Sequence, residues 1–235
     1  MTSQTLHEAR KYEEASEKLI KAEERPGFHL TPRTGWMNDP NGFSYYKGRY
    51  HLFYQYYPYE SRWGSMHWGH AVSQNLLHWE SLPCALAPDE AYDRDGCFSG
   101  SAVELPDGRQ LLMYTGVLKE RQGHGGYREV QTQCLAAGDG LDYEKYEQNP
   151  VLDDTDLPEG SSRFDFRDPR IWRHTDGTYR CVVGSRPADG SGQILLYTSG
   201  DGFHWKFKSV LVSNCDRFGK MWECPDFFEL DGKWV

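Results

Sequence analysis

Four times along the chain an apolar segment meets a two-residue turn ending in glycine and continues as a second apolar segment. The four are "NDPNGFSYYKGRYHLFYQYY", "FSGSAVELPDGRQLLMYTGV", "RDPRIWRHTDGTYRCVVGSR" and "ECPDFFELDGKWV". Their turns are Lys47-Gly48, Asp107-Gly108, Asp176-Gly177 and Asp231-Gly232, and Asp-Gly is a hairpin signal because both residues tolerate left-handed backbone. The turn glycines stand 60, 69 and 55 residues apart. Between them a second element recurs, "HAVSQNLLHW", "CLAAGDGLDY" and "LYTSGDGFHW": a short apolar strand, a polar loop, then Trp79, Tyr143 or Trp205. One repeat therefore holds about four strands. Four-stranded antiparallel repeats of this length describe the blades of an all-β propeller.

Nine residues before each turn glycine stand Asp39, Ser99, Asp168 and Glu223. Equal spacing on equivalent strands puts them at one level of successive blades. The first strand of a blade lines the central channel, so four polar side chains converge there, three of them carboxylic acids. In "RTGWMNDPNG", Pro40 cannot donate to a sheet ladder and Asn41-Gly42 is turn chemistry, which suits a carboxylate held at the mouth of a strand.

Clustered carboxylates cannot all ionise freely. Like charges and desolvation push their pKa values apart, leaving one group as acid and another as base or nucleophile. Hydrolysis of a glycosidic bond needs such a pair. Calcium is the rival use, but no Asp-x-Asp-x-Asp-Gly loop is present; "DRDG" at 93–96 is too short, and "DDTD" at 153–156 reads as a solvated loop. His67 and His70, three apart on a strand, point to opposite faces and read as core or loop histidines, so no metal is expected. Neither a Gly-x-Ser-x-Gly elbow nor a phosphate-binding glycine loop occurs, and "GHGGYREV" at 123–130 reads as a mobile loop.

Composition narrows the partners. Aromatics make up 14% of the 235 residues, suited to a groove that stacks against sugars. A net charge of −9 without a basic stripe argues against nucleic acid, and no apolar run approaches a membrane span. The charged N-terminus lacks the apolar stretch of a secretory signal and reads as a helix over about residues 5–24, closed by Pro26-Gly27. Six cysteines without a CxxC pair, and no Asn-x-Ser/Thr site, point to reduced thiols and a cytoplasmic location.

"WMNDPNG", "FSGS", "FRDP" and "WECPD", in this order, resemble glycoside hydrolase family 32, the invertases, sucrose-6-phosphate hydrolases and fructan hydrolases. The resemblance runs from about Phe28 to the last residue and is closest in style to the bacterial intracellular members. It implies a five-bladed β-propeller followed by a β-sandwich, and a retaining β-fructofuranosidase needing no cofactor. By that resemblance Asp39 matches the nucleophile, Glu223 the general acid/base, and Asp168 the third acid, which holds fructose hydroxyls. Trp36, Asn38, Gln55, Trp63, Phe98, Ser99 and Arg167 match the fructose pocket. Sucrose 6-phosphate is the first-choice substrate; sucrose, a fructan or fructosyl transfer are alternatives within the fold. A sugar-binding propeller without turnover is the alternative outside it, opposed by the three acids. Arg62, Arg94, Arg121, His124 and Arg128, basic residues in expected loops, are the candidates for a phosphate contact. The expected organisation is a helical leader over 1–25 and a catalytic propeller over 26–235, cut off in its fourth blade, with the sandwich absent.

Overall fold

In the computed structural model, which describes residues 2–123, 125–187, 189–213 and 217–235, each of the first three repeats is one antiparallel four-stranded sheet. The first sheet is β1 (Trp36–Tyr46), β2 (Arg49–Tyr57), β3 (His67–Ser73) and β4 (Trp79–Leu86). The second is β5 (Gly96–Glu104), β6 (Gln110–Arg121), β7 (Tyr127–Gly138) and β8 (Tyr143–Lys145). The third is β9 (Ser161–Arg173), β10 (Tyr179–Pro187), β11 (Gln193–Ser199) and β12 (Trp205–Ser213). In each sheet spatial order follows chain order, and the first strands are neighbours, β5 packing against both β1 and β9. The fourth repeat is a hairpin, β13 (Glu229–Leu230) with β14 (Lys233–Trp234).

The apolar runs follow from burial on both faces. Along β6, Leu111 and Met113 enter one core with Phe166, Ile171, Val183 and Leu195 of the third sheet. Leu112 and Tyr114 enter another with Phe53 and Trp68 of the first. A strand covered on both sides loses the apolar–polar alternation of a one-faced sheet. Buried polar groups fix the seams: Tyr46 Oη donates to Gly108 O at 2.6 Å, and Ser101 Oγ donates to Pro169 O and accepts from Ile171 N, both at 2.8 Å. Asx turns pin the third loop of each sheet. Oδ1 of Asn75, Asp139 and Asp201 each accepts two backbone N–H groups just before the aromatic that opens the outer strand.

Local chemistry differs from the sequence reading in three places. Lys47-Gly48 and Asp231-Gly232 are two-residue turns, left-handed at both positions. At Gly108 and Gly177 only the glycine is left-handed, and the turn is longer, closed by the Gly108 amide on Leu105 O and the Gly177 amide on His174 O. The helix (α1) runs from Gln4 to Glu17, not to residue 24, because beyond Glu17 its apolar side has nothing to cover: Leu19 is 80% exposed. In "GHGGYREV", residues 127–130 are not loop but the start of β7, with Arg121 of β6 opposite Tyr127; His124 lies outside the described residues. His67 and His70 are buried apart, His70 stacked on Phe53 and bonded to His51 at 3.0 Å, His67 against Ser65 O.

Helix α1 docks on the first sheet through Leu6 and Ala9, which join Tyr54, Tyr56, Ala71 and Cys84. Under it lies Glu13, 1% exposed, accepting the Cys84 N–H at 2.8 Å and facing Arg33 at 3.3 Å. Burial raises its carboxyl above the usual range against both partners, so the hydrogen-bonded oxygen matters more than the charge. Glu13→Ala orphans the Cys84 amide and should lower unfolding free energy by about 2–3 kcal/mol in urea melts. Glu13→Gln keeps an acceptor and should cost less than half as much.

Candidate active site

Each of the first strands is broken at the equivalent position. The β1–β2 register slips between Met37 and Pro40, around Asp39. The β5–β6 register slips between Phe98 and Gly100, at Ser99, and the β9–β10 register between Arg167 and Arg170, at Asp168. A bulge frees a residue from the ladder and re-aims its side chain, and here all three breaks lie on adjacent strands. Gly100 fits the bend because a Cβ there would stand 2.0 Å from Met113 O.

The bulges bring Asp39, Ser99, Asp168 and the segment after Trp222 together. Ser99 Oγ donates to Asp39 Oδ2 at 3.0 Å. Asp168 is 7% exposed and left-handed at φ 64°, a conformation that costs a non-glycine residue about 1 kcal/mol or more. Three side chains of the neighbouring sheet hold it there. The Asp168 amide donates to Thr115 Oγ1 at 3.0 Å, and Thr115 donates to Gln133 Oε1 at 2.8 Å. Gln133 Nε2 donates to Phe166 O at 2.7 Å, and Gln131 Oε1 accepts from the Phe166 amide and from Arg167 Nη1.

Glu223 lies in a segment with little secondary structure, tied to β9 by three contacts. Arg167 places Nη2 at 2.8 Å and Nε at 3.1 Å from Glu223 Oε1. The Cys224 amide, left-handed at φ 47°, donates to Asp168 Oδ2 at 2.9 Å. Arg170 Nε donates to Asp226 Oδ1 at 2.7 Å. Burial raises the Asp168 carboxyl; the Cys224 amide and Arg167 oppose this, while Glu223 and Asp39 add to it. Burial also pushes the Cys224 thiol up to about 12, so it stays protonated. Two clefts meet these groups. One, of ≈ 210 Å³, is lined by Asn41, Ser99, Asp168, Arg170 and Cys224. The other, of ≈ 450 Å³, is lined by Phe98, Arg128, Gln131, Arg167, Arg186 and Glu223.

The remaining sequence candidates differ in position. Trp36 Nε1 donates to Asn38 Oδ1 at 2.7 Å, beside Asp39. Trp63, 45% exposed, meets Phe98 edge to face at 5.9 Å. Gln55 is buried and spends Nε2 on Cys97 O, pinning β2 to β5. The sequence reading passed over Thr115, Gln131 and Gln133. Two glutamines alternating in the otherwise apolar "VQTQCLAA" were the available signal, since polar groups inside such a strand require partners. Among the described residues no three His, Cys, Asp or Glu side chains are grouped to hold a metal.

A carboxylate raised by burial weakens the fold at high pH. Its cost is absent below the unfolded pKa, where both states are protonated, and complete above the raised folded value. Asp168→Asn keeps an acceptor for Cys224 N–H without charge. It should raise Tm at pH 7, with the gain shrinking towards zero near pH 3, as read by thermal melts across pH.

Comparison with known proteins shows the family. Residues 29–234 match the family model described as the N-terminal domain of glycosyl hydrolases family 32. A sucrose-6-phosphate hydrolase of Zymomonas mobilis is 46% identical over 232 residues, covering 94% of this chain and 44% of that protein. A raffinose invertase of Escherichia coli is 49% identical over 206 residues, covering 86% of this chain and 41% of that protein. The solved GH32 β-fructofuranosidase of Bombyx mori superposes with a TM-score of 0.86 at 47% identity, over 100% of this chain and 48% of that one. A mutant of that enzyme was solved in complex with sucrose. The chain thus spans about half the length of the relatives it matches. It belongs to glycoside hydrolase family 32.

Proposed function

We propose that this protein is a retaining β-fructofuranosidase that releases the terminal fructosyl residue of sucrose 6-phosphate, with sucrose as the neutral counterpart. The observation that carries the reading is the approach of three acids from separate repeats: Asp39 is bonded by Ser99, and Asp168 by the amide of Cys224, the residue next to Glu223, where two polar clefts meet. In this reading Asp39 attacks the fructosyl anomeric carbon, its free oxygen aimed by the bond from Ser99. Glu223 protonates the departing glycosidic oxygen and then takes a proton from the water that hydrolyses the fructosyl–Asp39 ester. Arg167 holds Glu223 by one oxygen, leaving the other for the proton. Asp168, anchored by Cys224 N–H, accepts hydrogen bonds from fructose hydroxyls as positive charge develops on the ring. Trp36, Asn38, Gln55, Trp63 and Phe98 complete the pocket.

The equivalent placement of three sheets supports a β-propeller, and the family resemblance implies five blades. We divide the chain at residue 26, helix and leader before it, catalytic domain after it. A phosphorylated substrate and unpaired buried thiols support a cytoplasmic location; among the described residues no helix is long and apolar enough to cross a membrane.

In the full-length protein, Asp39→Ala should abolish turnover of every substrate. Glu223→Gln loses the acid and the later base, about 10²–10⁴ in rate on sucrose, but should still cleave an aryl fructoside whose leaving group needs no proton. Quenched mass spectrometry should then find one fructosyl unit on the Asp39 peptide. A label on Asp168, or equal inactivity on both leaving groups, rejects these roles. Thr115→Val orphans the Asp168 amide and should lower kcat about 10- to 100-fold with KM nearly unchanged, whereas Thr115→Ser should restore it.

A further inference from the structure

The cleft that contains Glu223 opens where the sheet of β5–β8 meets that of β9–β12. A general acid stands beside the oxygen it protonates, so the sugar that departs with that oxygen occupies this cleft. At ≈ 450 Å³ it falls in the usual size range of small-molecule sites. Three guanidinium groups line it, and two are already paired. Arg167 holds Glu223, and Arg186 Nη2 holds Asp165 Oδ2 at 2.6 Å. Arg128 differs. Its guanidinium carbon lies 4.8 Å from the centre of the Phe164 ring, and among the described residues no carboxylate lies within ion-pair distance of it. Its cross-strand partner Glu120 is taken by Arg163 at 2.8 Å, and Glu129, which also lines the cleft, is not within ion-pair distance of Arg128. A cation stacked on a ring and lacking an acid is oriented for an anion from outside the chain.

Resting on the reading given under Proposed function, we propose that Arg128 is a substrate-binding residue for the phosphate ester of the leaving sugar, bordered by Arg186. The planar fork donates to two phosphate oxygens, and the ring beneath it reduces the freedom lost on binding. The same position explains how the cleft discriminates between substituents on the glucosyl 6-oxygen. A phosphate there meets an unpaired cation; the neutral galactosyl group of raffinose gains nothing from it.

The test uses the full-length protein with sucrose 6-phosphate, sucrose and raffinose as substrates, and glucose 6-phosphate against glucose as product inhibitors. Arg128 is exposed, so Arg128→Leu and Arg128→Gln have no core to disturb. In both variants the kcat/KM ratio of sucrose 6-phosphate to sucrose should fall about tenfold or more, while the ratio of raffinose to sucrose stays within about twofold. The inhibition constant of glucose 6-phosphate should rise by a similar factor, and the wild-type preference should shrink with added salt. A wild-type preference that survives in both variants overturns the subsite and leaves the substrate reading intact. Equal wild-type efficiency on sucrose and its 6-phosphate overturns the substrate reading and the subsite with it.

Discussion

The bond from the Asp168 amide to Thr115 Oγ1 joins two sheets beside the candidate site. Without it, a buried left-handed aspartate would have an orphaned donor and no reason to keep its conformation. With it, the backbone at Asp168 is set by β6 and β7 of the preceding sheet. Arg167 is set the same way through Gln131, and Arg167 in turn holds Glu223. Positions of two of the three acids are thus fixed by a polar chain that neither acid's own sheet supplies. Such a chain is tolerable in a core because each member named here has a partner.

The apolar seams make that chain possible. Strands such as β6 send alternate residues to different neighbours, so the second sheet is wedged between the first and the third and the first strands are pressed side by side. Bulges at Asp39, Ser99 and Asp168 then turn polar groups out of the ladder at one level. Packing sets where the strands meet, and the bulges set which atoms face the cleft.

Much of this was legible in the sequence because it is periodic. Turn glycines and the residues nine positions before them reported sheets and the common level of Asp39, Ser99 and Asp168. The Asn75, Asp139 and Asp201 turns lay inside the second recurring element. What stayed hidden runs between sheets. Thr115 and Asp168 are 53 residues apart and on different repeats, so no spacing rule relates them. The bulges were hidden for the same reason: a ladder slip is a relation between two strands, and only Pro40 in one of them hinted at it. The length of α1 was misjudged because charge and propensity continue past Glu17 while the surface it packs on does not.

Because each site carboxylate belongs to a separate repeat, the site is a vernier of how the repeats sit against one another. A slide of an ångström along a seam leaves every strand ladder intact, and with it the amide protection and the far-ultraviolet circular dichroism. The same slide separates Asp168 from Thr115. Heating should therefore spoil the alignment of these carboxylates before it melts the sheets, and the interval between the two would measure the stiffness of the seams.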